Sequence, residues 1–403
     1  MASSSHQSGL KVATEGMSEE EIAAAIEMSR VQGWSELKDG GQDGAAISSQ
    51  ADTDAAIWEE LKRNYPGVFW DLCEGELQLG RVIAEGGQAT IYEARWGADS
   101  SDICNRWVAK VFKMEGFSLR DLQHQWPRNN KIPRKLSEFH SIFPFQMGGV
   151  VFGEFMRSCS YVWLGTLLED GRFAFVMRRH WGDLRSLINH KVNANHSQGP
   201  PFSLKRSTSI MCNIGRGMRE LHARGVVHRD LKAANILVSM IMDPKNDDFF
   251  TCKVADYESS MLVQGTGFWR APEVLEDLQK QPSGRDASIW TEKVDIYSYA
   301  MTCYEVLTGQ VPFHGCTKSH WKKVIDGDRP CFPDYVDPRL QKLVEKCWHK
   351  DPTKRPTFEA IVYELKVIRS KAGVLGRARH ASSYVFQKMW YKVDRLSKCS
   401  RSG

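Results

Sequence analysis

No stretch of this chain holds the roughly eighteen consecutive apolar residues that a helix needs to cross a bilayer, so a membrane span is not expected. The start, Met1-Ala2-Ser3-Ser4, carries neither a basic run nor an apolar stretch of the signal-peptide kind. The expected compartment is therefore the cytoplasm, with the nucleus also open. The ten cysteines are scattered without paired C-x-x-C spacing, which without a secretory signal reads as reduced, mostly buried thiols. A large excess of one charge is lacking too, the formal net charge being only +5 over 403 residues. No internal repeat is visible, and no nucleic-acid module stands behind the basic residues of the tail. With 42% hydrophobic and 26% charged residues the composition is that of a folded protein, which argues against a fibrous or wholly disordered chain.

The charge that is present is unevenly placed. Residues 1–60 hold twelve Asp or Glu against three Lys or Arg, whereas from Lys366 onward there are ten Lys or Arg and one acid. Residues 1–60 are rich in Ser, Gly, Gln, Ala and acid and read as a disordered arm with one local helix at 18–30. Order is expected to begin near Trp58 to Trp70, with 61–75 an extension leading into a folded domain over 76–370. Alternation in Glu76-Leu77-Gln78-Leu79-Gly80-Arg81-Val82-Ile83 predicts a strand. Apolar residues at helical spacing over Ser203 to His222 and Lys293 to Leu307 predict helices. The expectation is an α+β fold of two lobes: a small β-rich lobe over 76–177 and a larger, mostly helical lobe over 180–370, with Arg178, Arg179 and His180 as the hinge.

The most informative segment is His228-Arg229-Asp230-Leu231-Lys232-Ala233-Ala234-Asn235-Ile236-Leu237, which sets an acid, a base and an amide at fixed offsets. It resembles the catalytic loop of protein kinases. Phosphoryl transfer needs little covalent help from a protein; it needs a carboxylate to take a hydroxyl proton, cations on phosphates and ligands for magnesium. The resemblance makes Asp230 the base, Lys232 the group that steadies the transferred phosphoryl and Asn235 a metal ligand. Further on, Lys253-Val254-Ala255-Asp256-Tyr257-Glu258 stands where kinases carry Asp-Phe-Gly. Asp256 would be the second magnesium ligand, a hard oxygen donor suited to that cation. Glu258 departs from the glycine of the pattern, and a side chain there costs roughly 1–2 kcal/mol if the backbone must be left-handed.

Upstream, Ile83-Ala84-Glu85-Gly86-Gly87-Gln88-Ala89-Thr90-Ile91-Tyr92 resembles the kinase glycine-rich loop, with Ala84 and Ala89 where the outer glycines usually stand. Trp107-Val108-Ala109-Lys110-Val111-Phe112 then supplies Lys110, expected on the α and β phosphates, with Lys113 as the alternative. Val108 and Ile91 would sandwich the adenine, and Met177 would lie at the inner end of the strand before the hinge. The glutamate partner of Lys110 is expected at Glu154 or, alternatively, Glu138. Together with magnesium, ATP is the implied ligand.

Later segments extend the resemblance over about residues 76 to 370. Gly265-Thr266-Gly267-Phe268-Trp269-Arg270-Ala271-Pro272-Glu273 looks like the substrate platform, and Val294-Asp295-Ile296-Tyr297-Ser298-Tyr299 like the helix whose Asp ties down the catalytic loop. Cys347-Trp348-His349-Lys350-Asp351-Pro352-Thr353-Lys354-Arg355-Pro356 supplies an Arg355 expected to pair with Glu273. The group most resembled is the tyrosine-kinase-like kinases, which mostly phosphorylate Ser or Thr. Lys232 and Thr266 fit that preference, and Trp269 leans toward tyrosine. Only eighteen residues separate Asp256 from Glu273 inclusively, which implies little dependence on phosphorylation of Ser259 or Ser260.

At the start, Ser18-Glu19-Glu20-Glu21-Ile22-Ala23-Ala24-Ala25-Ile26-Glu27-Met28-Ser29-Arg30 resembles a ubiquitin-interacting motif, with Ile22, Ala25 and Ser29 on the contact face. The tail 371–403 puts Phe386, Met389, Trp390, Val393 and Leu396 on one face among bases. It is expected to pack on the domain or to meet an acidic protein or membrane surface. Two further readings compete with an active kinase acting on protein substrates: a pseudokinase scaffold, suggested by Ala84, Ala89 and Glu258, and a ubiquitin-binding adaptor.

Overall fold

A computed structural model of the protein describes residues 44–66, 68–96, 107–114, 117–123, 162–195, 199–239, 250–257, 265–280 and 287–370. The expectations placed on 18–30, Glu138, Glu154, Glu258, Ser259, Ser260 and the tail 371–403 lie outside these residues. The chain divides into two compact units, Met1–Arg120 with Trp163–Met177, and Asp121–Val162 with Arg178–Gly403.

The first unit is built on a five-stranded sheet of β1 (Leu77–Glu85), β2 (Ala89–Trp96), β3 (Trp107–Phe112), β4 (Val162–Leu167) and β5 (Phe173–Arg178) in the order β1-β2-β3-β5-β4. Aromatic and β-branched residues dominate β3 and β5, the composition that suits a pleated, buried surface. The period of two then sorts them. Ala109, Val111 and Ala174 are buried against Ala94 on one face. On the other, Phe112 meets Phe175 edge-on at 5.8 Å and Phe117 stacks on Phe173 at 4.9 Å.

An additional helix, α1 (Gly44–Asn64), precedes the sheet. It starts well before the expected onset of order at 58 to 70 and corrects the assignment of all of 1–60 to a disordered arm. The physical reason is a cluster of large side chains at its end. Ile57, Trp58 and Leu61 are buried, and so are Val68 and Phe69 just beyond. Trp58 sits edge-on to Phe69 at 5.9 Å and to Phe173 at 6.1 Å. Its indole N–H donates to Asp71 Oδ1 at 2.7 Å, and Lys62 also pairs with Asp71. After α1 the chain runs alongside β4, where Gly165 N–H donates to Val68 O at 2.8 Å and Phe69 forms a parallel bridge to Gly165. A Cβ on Gly165 would stand 2.6 Å from the Phe69 ring, so the glycine makes room for that ring. The strap covers an edge strand whose backbone groups would otherwise be open.

The second unit carries α2 (Leu184–Ala194), α3 (Leu204–His222), α4 (Pro272–Lys280), α5 (Glu292–Thr308), α6 (Trp321–Asp326), α7 (Pro338–Cys347) and a helix α8 over 358–370. Asp183 caps α2 and Ser203 caps α3 through their side-chain oxygens. From Val294 to Thr308 every side chain of α5 is buried, so α5 is the central axis of its unit rather than a surface helix. Thr291 caps its start and left-handed Gly309 closes its end, with the Gly309 N–H on Glu305 O at 2.8 Å. A small antiparallel sheet of β6 (Gly182–Asp183), β7 (Ile236–Ser239) and β8 (Thr251–Val254) completes the scaffold. Its register sets Ile236 opposite Val254, which brings the residues just before β7 beside those just after β8.

Candidate active site

In the first unit the nucleotide-binding expectations fall on the hairpin β1–β2 and on β3. The loop closes tightly, Gly86 N–H donating to Ala89 O at 2.9 Å and Lys113 N–H to Gln88 O at 2.9 Å. That ties the loop of Gly86, Gly87 and Gln88 to the end of β3. Register pairs Ile91 with Lys110, Glu93 with Val108 and Ala89 with Phe112, and directly opposed residues share a face. Ile91, Val108 and Lys110 therefore lie on one side of the sheet. Irregular pairing between Leu79 and Ala84 bends β1 toward its tip, where Ile83 and Ala84 are exposed. Lys110 is 6% exposed with its ammonium 5.3 Å from the centre of the Phe112 ring. Lys113, by contrast, follows the end of β3, is partly exposed and pairs with Glu85 at 2.9 Å. Lys110 is thus buried on the sheet face of Ile91 and Val108, whereas Lys113 meets Glu85. Met177 is buried near the end of β5, which runs one residue further, through Arg178.

In the second unit the catalytic loop is held from below by one buried carboxylate. Asp295 in α5 accepts the backbone N–H of His228 at 2.8 Å and of Arg229 at 2.9 Å, and lies 2.8 Å from His222 Nε2. Those bonds sustain a left-handed Arg229 at φ 69°, a conformation costing roughly 1–2 kcal/mol in a non-glycine residue. The Arg229 guanidinium lies 4.8 Å from the centre of the Trp290 ring. His228 Nε2 is 2.8 Å from the Ala255 carbonyl, so that nitrogen donates and Nδ1 is left to accept the Asp230 N–H at 3.3 Å.

Asp230 is the convergence point. Its Oδ1 accepts the Thr266 hydroxyl at 2.6 Å, and its Oδ2 accepts Asn235 Nδ2 at 3.1 Å and Lys232 Nζ at 3.0 Å. Lys232 donates as well to Thr266 Oγ1 at 2.6 Å, closing a ring of three side chains. Burial alone would raise the Asp230 pKa, but the Lys232 charge and the Thr266 and Lys232 hydrogen bonds outweigh it and hold the carboxyl below its ordinary range. A carboxylate thus kept ionised among positioned donors can orient a hydroxyl and accept its proton.

Asn235 also donates to the Asp230 carbonyl at 2.7 Å, so its amide nitrogen is committed to Asp230 and its oxygen is the end left to meet a cation. Its own carbonyl accepts the Ala255 N–H at 3.0 Å, which places Asp256 next along the chain from that contact. Asp256 is left-handed at φ 64°, a conformation that an aspartate tolerates better than most residues. An amide oxygen and a carboxylate suit a hard divalent cation. Among the described residues no cluster of three or more His, Cys, Asp or Glu that could hold a metal ion is found.

The rest of the platform follows the expected pairs. Arg355, fully buried, donates to both Glu273 oxygens at 2.7 and 2.8 Å, a bidentate contact that anchors the start of α4. One residue with no role in the sequence reading emerges as a hub. Glu305 in α5 is 1% exposed and accepts from Arg185 at 3.1 Å, the Ala233 N–H at 3.1 Å and the Trp269 indole at 2.9 Å. It thereby links α2, the catalytic loop and the platform. Only its acidic character inside an otherwise apolar helical stretch could have flagged it.

A catalytic loop built around an ionised, Lys-paired aspartate beside an Asn and an Asp suited to a divalent cation, in a chain that also carries a sheet with a buried lysine, defines a phosphotransferase of the kinase class. The comparisons agree, for residues 77–365 match the model of the protein tyrosine and serine/threonine kinase family, and the chain belongs to it. It is 27% identical to the Serine/threonine-protein kinase STY46 of Arabidopsis thaliana over 90% of this chain and 56% of that protein. It is also 34% identical to the Serine/threonine/tyrosine-protein kinase HT1 of Arabidopsis thaliana over 46% of this chain and 44% of that protein. A light-sensor protein kinase of Ceratodon purpureus is 34% identical over 49% of this chain and 17% of that protein. The chain thus spans from under a fifth to somewhat over half of the length of these relatives.

Proposed function

We propose that the protein transfers the γ-phosphoryl group of ATP to serine and threonine hydroxyls of protein substrates. The observation that carries this reading is the ring of Asp230, Lys232 and Thr266, in which the carboxylate is kept ionised and aimed by short hydrogen bonds. Asp230 takes the proton of the acceptor hydroxyl as its oxygen bonds to phosphorus and the bond to ADP breaks. Lys232 balances charge on the transferred group, and Lys110 would bind the α and β phosphates. Asn235 and Asp256 would hold magnesium, which supplies charge neutralisation at the phosphates when bound. The glycine-rich tip, Ile83 to Ala89, would cover the nucleotide with Ile91, Val108 and Met177 at the base. The stacking of Arg229 on Trp290 supports activity without a loop phosphate, since the arginine already has a neighbour that orients it.

The test is phosphate transfer from labelled ATP by the wild type and by Asp230→Asn. Loss of the base should lower transfer roughly 100-fold or more. Equal and negligible transfer by both would instead favour the scaffold reading, motivated by Ala84, Ala89 and Glu258. Glu154 as the partner of Lys110, ubiquitin binding through Ile22, Ala25 and Ser29, an acidic protein or membrane partner for the tail, and a cytoplasmic location belong to the same proposal.

A further inference from the structure

Within the first unit, aromatic rings form an unbroken series that starts in α1 and ends at the buried lysine. Trp58 meets Phe173 edge-on at 6.1 Å, and Phe173 stands 6.0 Å from Phe112. Phe117 joins the same pair, stacked on Phe173 at 4.9 Å with the planes 3° apart and lying 4.6 Å from Phe112. The Lys110 ammonium lies 5.3 Å from the centre of the Phe112 ring. Trp58, Phe112, Phe173 and Lys110 are all buried. Gly165 gives the α1 end of the series its room, for a Cβ there would stand 2.6 Å from the Phe69 ring and 3.1 Å from Phe173 Cζ.

A buried ammonium gains from a ring face, whose negative quadrupole attracts the charge from a fixed direction. The ring gives that direction only while it keeps its own place. In an interior packed this closely, a void opened beside one ring is relieved in part by movement of the next. Phe173 has Trp58 on one contact and Phe112 on another, so a change at Trp58 reaches the ring that faces Lys110. Trp58 stands ahead of residues 77–365, so the family pattern assigns it nothing. We propose that Trp58 is a positioning residue for Lys110, acting through Phe173 and Phe112, so that the helix ahead of the sheet sets how well the α and β phosphates of ATP are held. Trp58 can have this effect only if Lys110 binds those phosphates, as proposed above.

The test is initial-rate transfer by the full chain with magnesium, varying ATP at a fixed Ser/Thr peptide library and then the library at fixed ATP, at a temperature where circular dichroism shows every variant folded. Trp58→Leu keeps apolar volume but loses the ring. It should lower kcat/KM for ATP about tenfold, equal to about 1.4 kcal/mol, and leave KM for the library within about twofold. Trp58→Phe, which keeps a ring, should stay within about threefold of the wild type. Ile57→Ala truncates a buried residue of the same helix that carries no ring; it should lower the melting temperature yet leave kcat/KM for ATP within about twofold. Phe112→Leu should by itself cost about tenfold, and adding Trp58→Leu to it should cost less than about twofold more, because both act on one ring. Trp58→Leu within about twofold of the wild type, Trp58→Phe as poor as Trp58→Leu, Ile57→Ala as poor as either, or effects of Trp58→Leu and Phe112→Leu that multiply would each overturn the positioning role. Transfer unchanged in Lys110→Ala would overturn the role of Lys110, and no transfer by the wild type would overturn the activity; either takes the positioning role with it.

Discussion

Replacing Trp58 by alanine tests whether the segment ahead of the matched family region is part of the folded first unit. Trp58 is 4% exposed and contacts Phe69 and Phe173 edge-on, so truncation leaves a void lined by aromatic rings that cannot easily close. Buried Trp or Phe to Ala changes cost roughly 3–5 kcal/mol. The lost hydrogen bond to Asp71 adds little, because the Asp71 side chain is 61% exposed and can turn to water. For a domain of roughly 150–250 residues each kcal/mol moves the melting temperature by about 2–4 °C, which gives a drop of roughly 6–20 °C. Thermal unfolding of the full chain by circular dichroism would read this. Trp181→Ala is the control, since Trp181 is 46% exposed and its removal should stay within about 0.5 kcal/mol. A Trp58→Ala melting temperature within about 2 °C of the wild type would refute the reasoning. A chain begun at Leu77, where the family match starts, should be less stable still, because it also lacks Leu61, Val68 and Phe69.

Glu305→Ala should cost roughly 3–5 kcal/mol in urea unfolding, because it removes the buried carboxylate that meets the half-buried Arg185 and the Ala233 and Trp269 donors, whereas Glu305→Gln should cost less. A Glu305→Ala midpoint equal to that of the wild type would remove the hub from the argument. His180 gives a pH signature: burial, aided by Lys253, lowers its pKa to about 4, while Nδ1 stays 2.6 Å from Ser239 Oγ. The unfolded chain, with an ordinary histidine pKa of about 6.5, binds the proton first, so stability should fall as pH drops from about 6.5 toward 4. In His180→Gln that part of the decline should vanish from a stability profile measured across this interval; a profile of unchanged slope would contradict it.

Much of the candidate site was legible in the sequence because its parts are local. Asp230, Lys232 and Asn235 are set within six residues by one loop, and the structure draws them onto a shared carboxylate. The choice between Lys110 and Lys113 could be argued from strand alternation, and the surface pairing of Lys113 with Glu85 supplied the partner that alternation could not name. The onset of order was misplaced for a related reason. Residues around 44–56 are mostly polar or small, and the buried Ile57, Trp58 and Leu61, with Trp58 edge-on to Phe69, show why a helix persists there.

By itself the sequence determined the α+β class, the order of the motifs and the resemblance to kinases, since those rest on period and short spacing. Tertiary structure alone decided which distant groups meet. Glu305 lies 120 residues from Arg185 and 72 from Ala233, and Arg355 lies 82 from Glu273. The hydrogen bond from Arg270 to the Gly265 carbonyl spans only five residues, yet it depends on a left-handed glycine wedged against Arg229. Spacing constrains what neighbours along the chain can do, whereas burial pairs charges and carbonyls across it, because a polar group removed from water must find its partner wherever packing brings one.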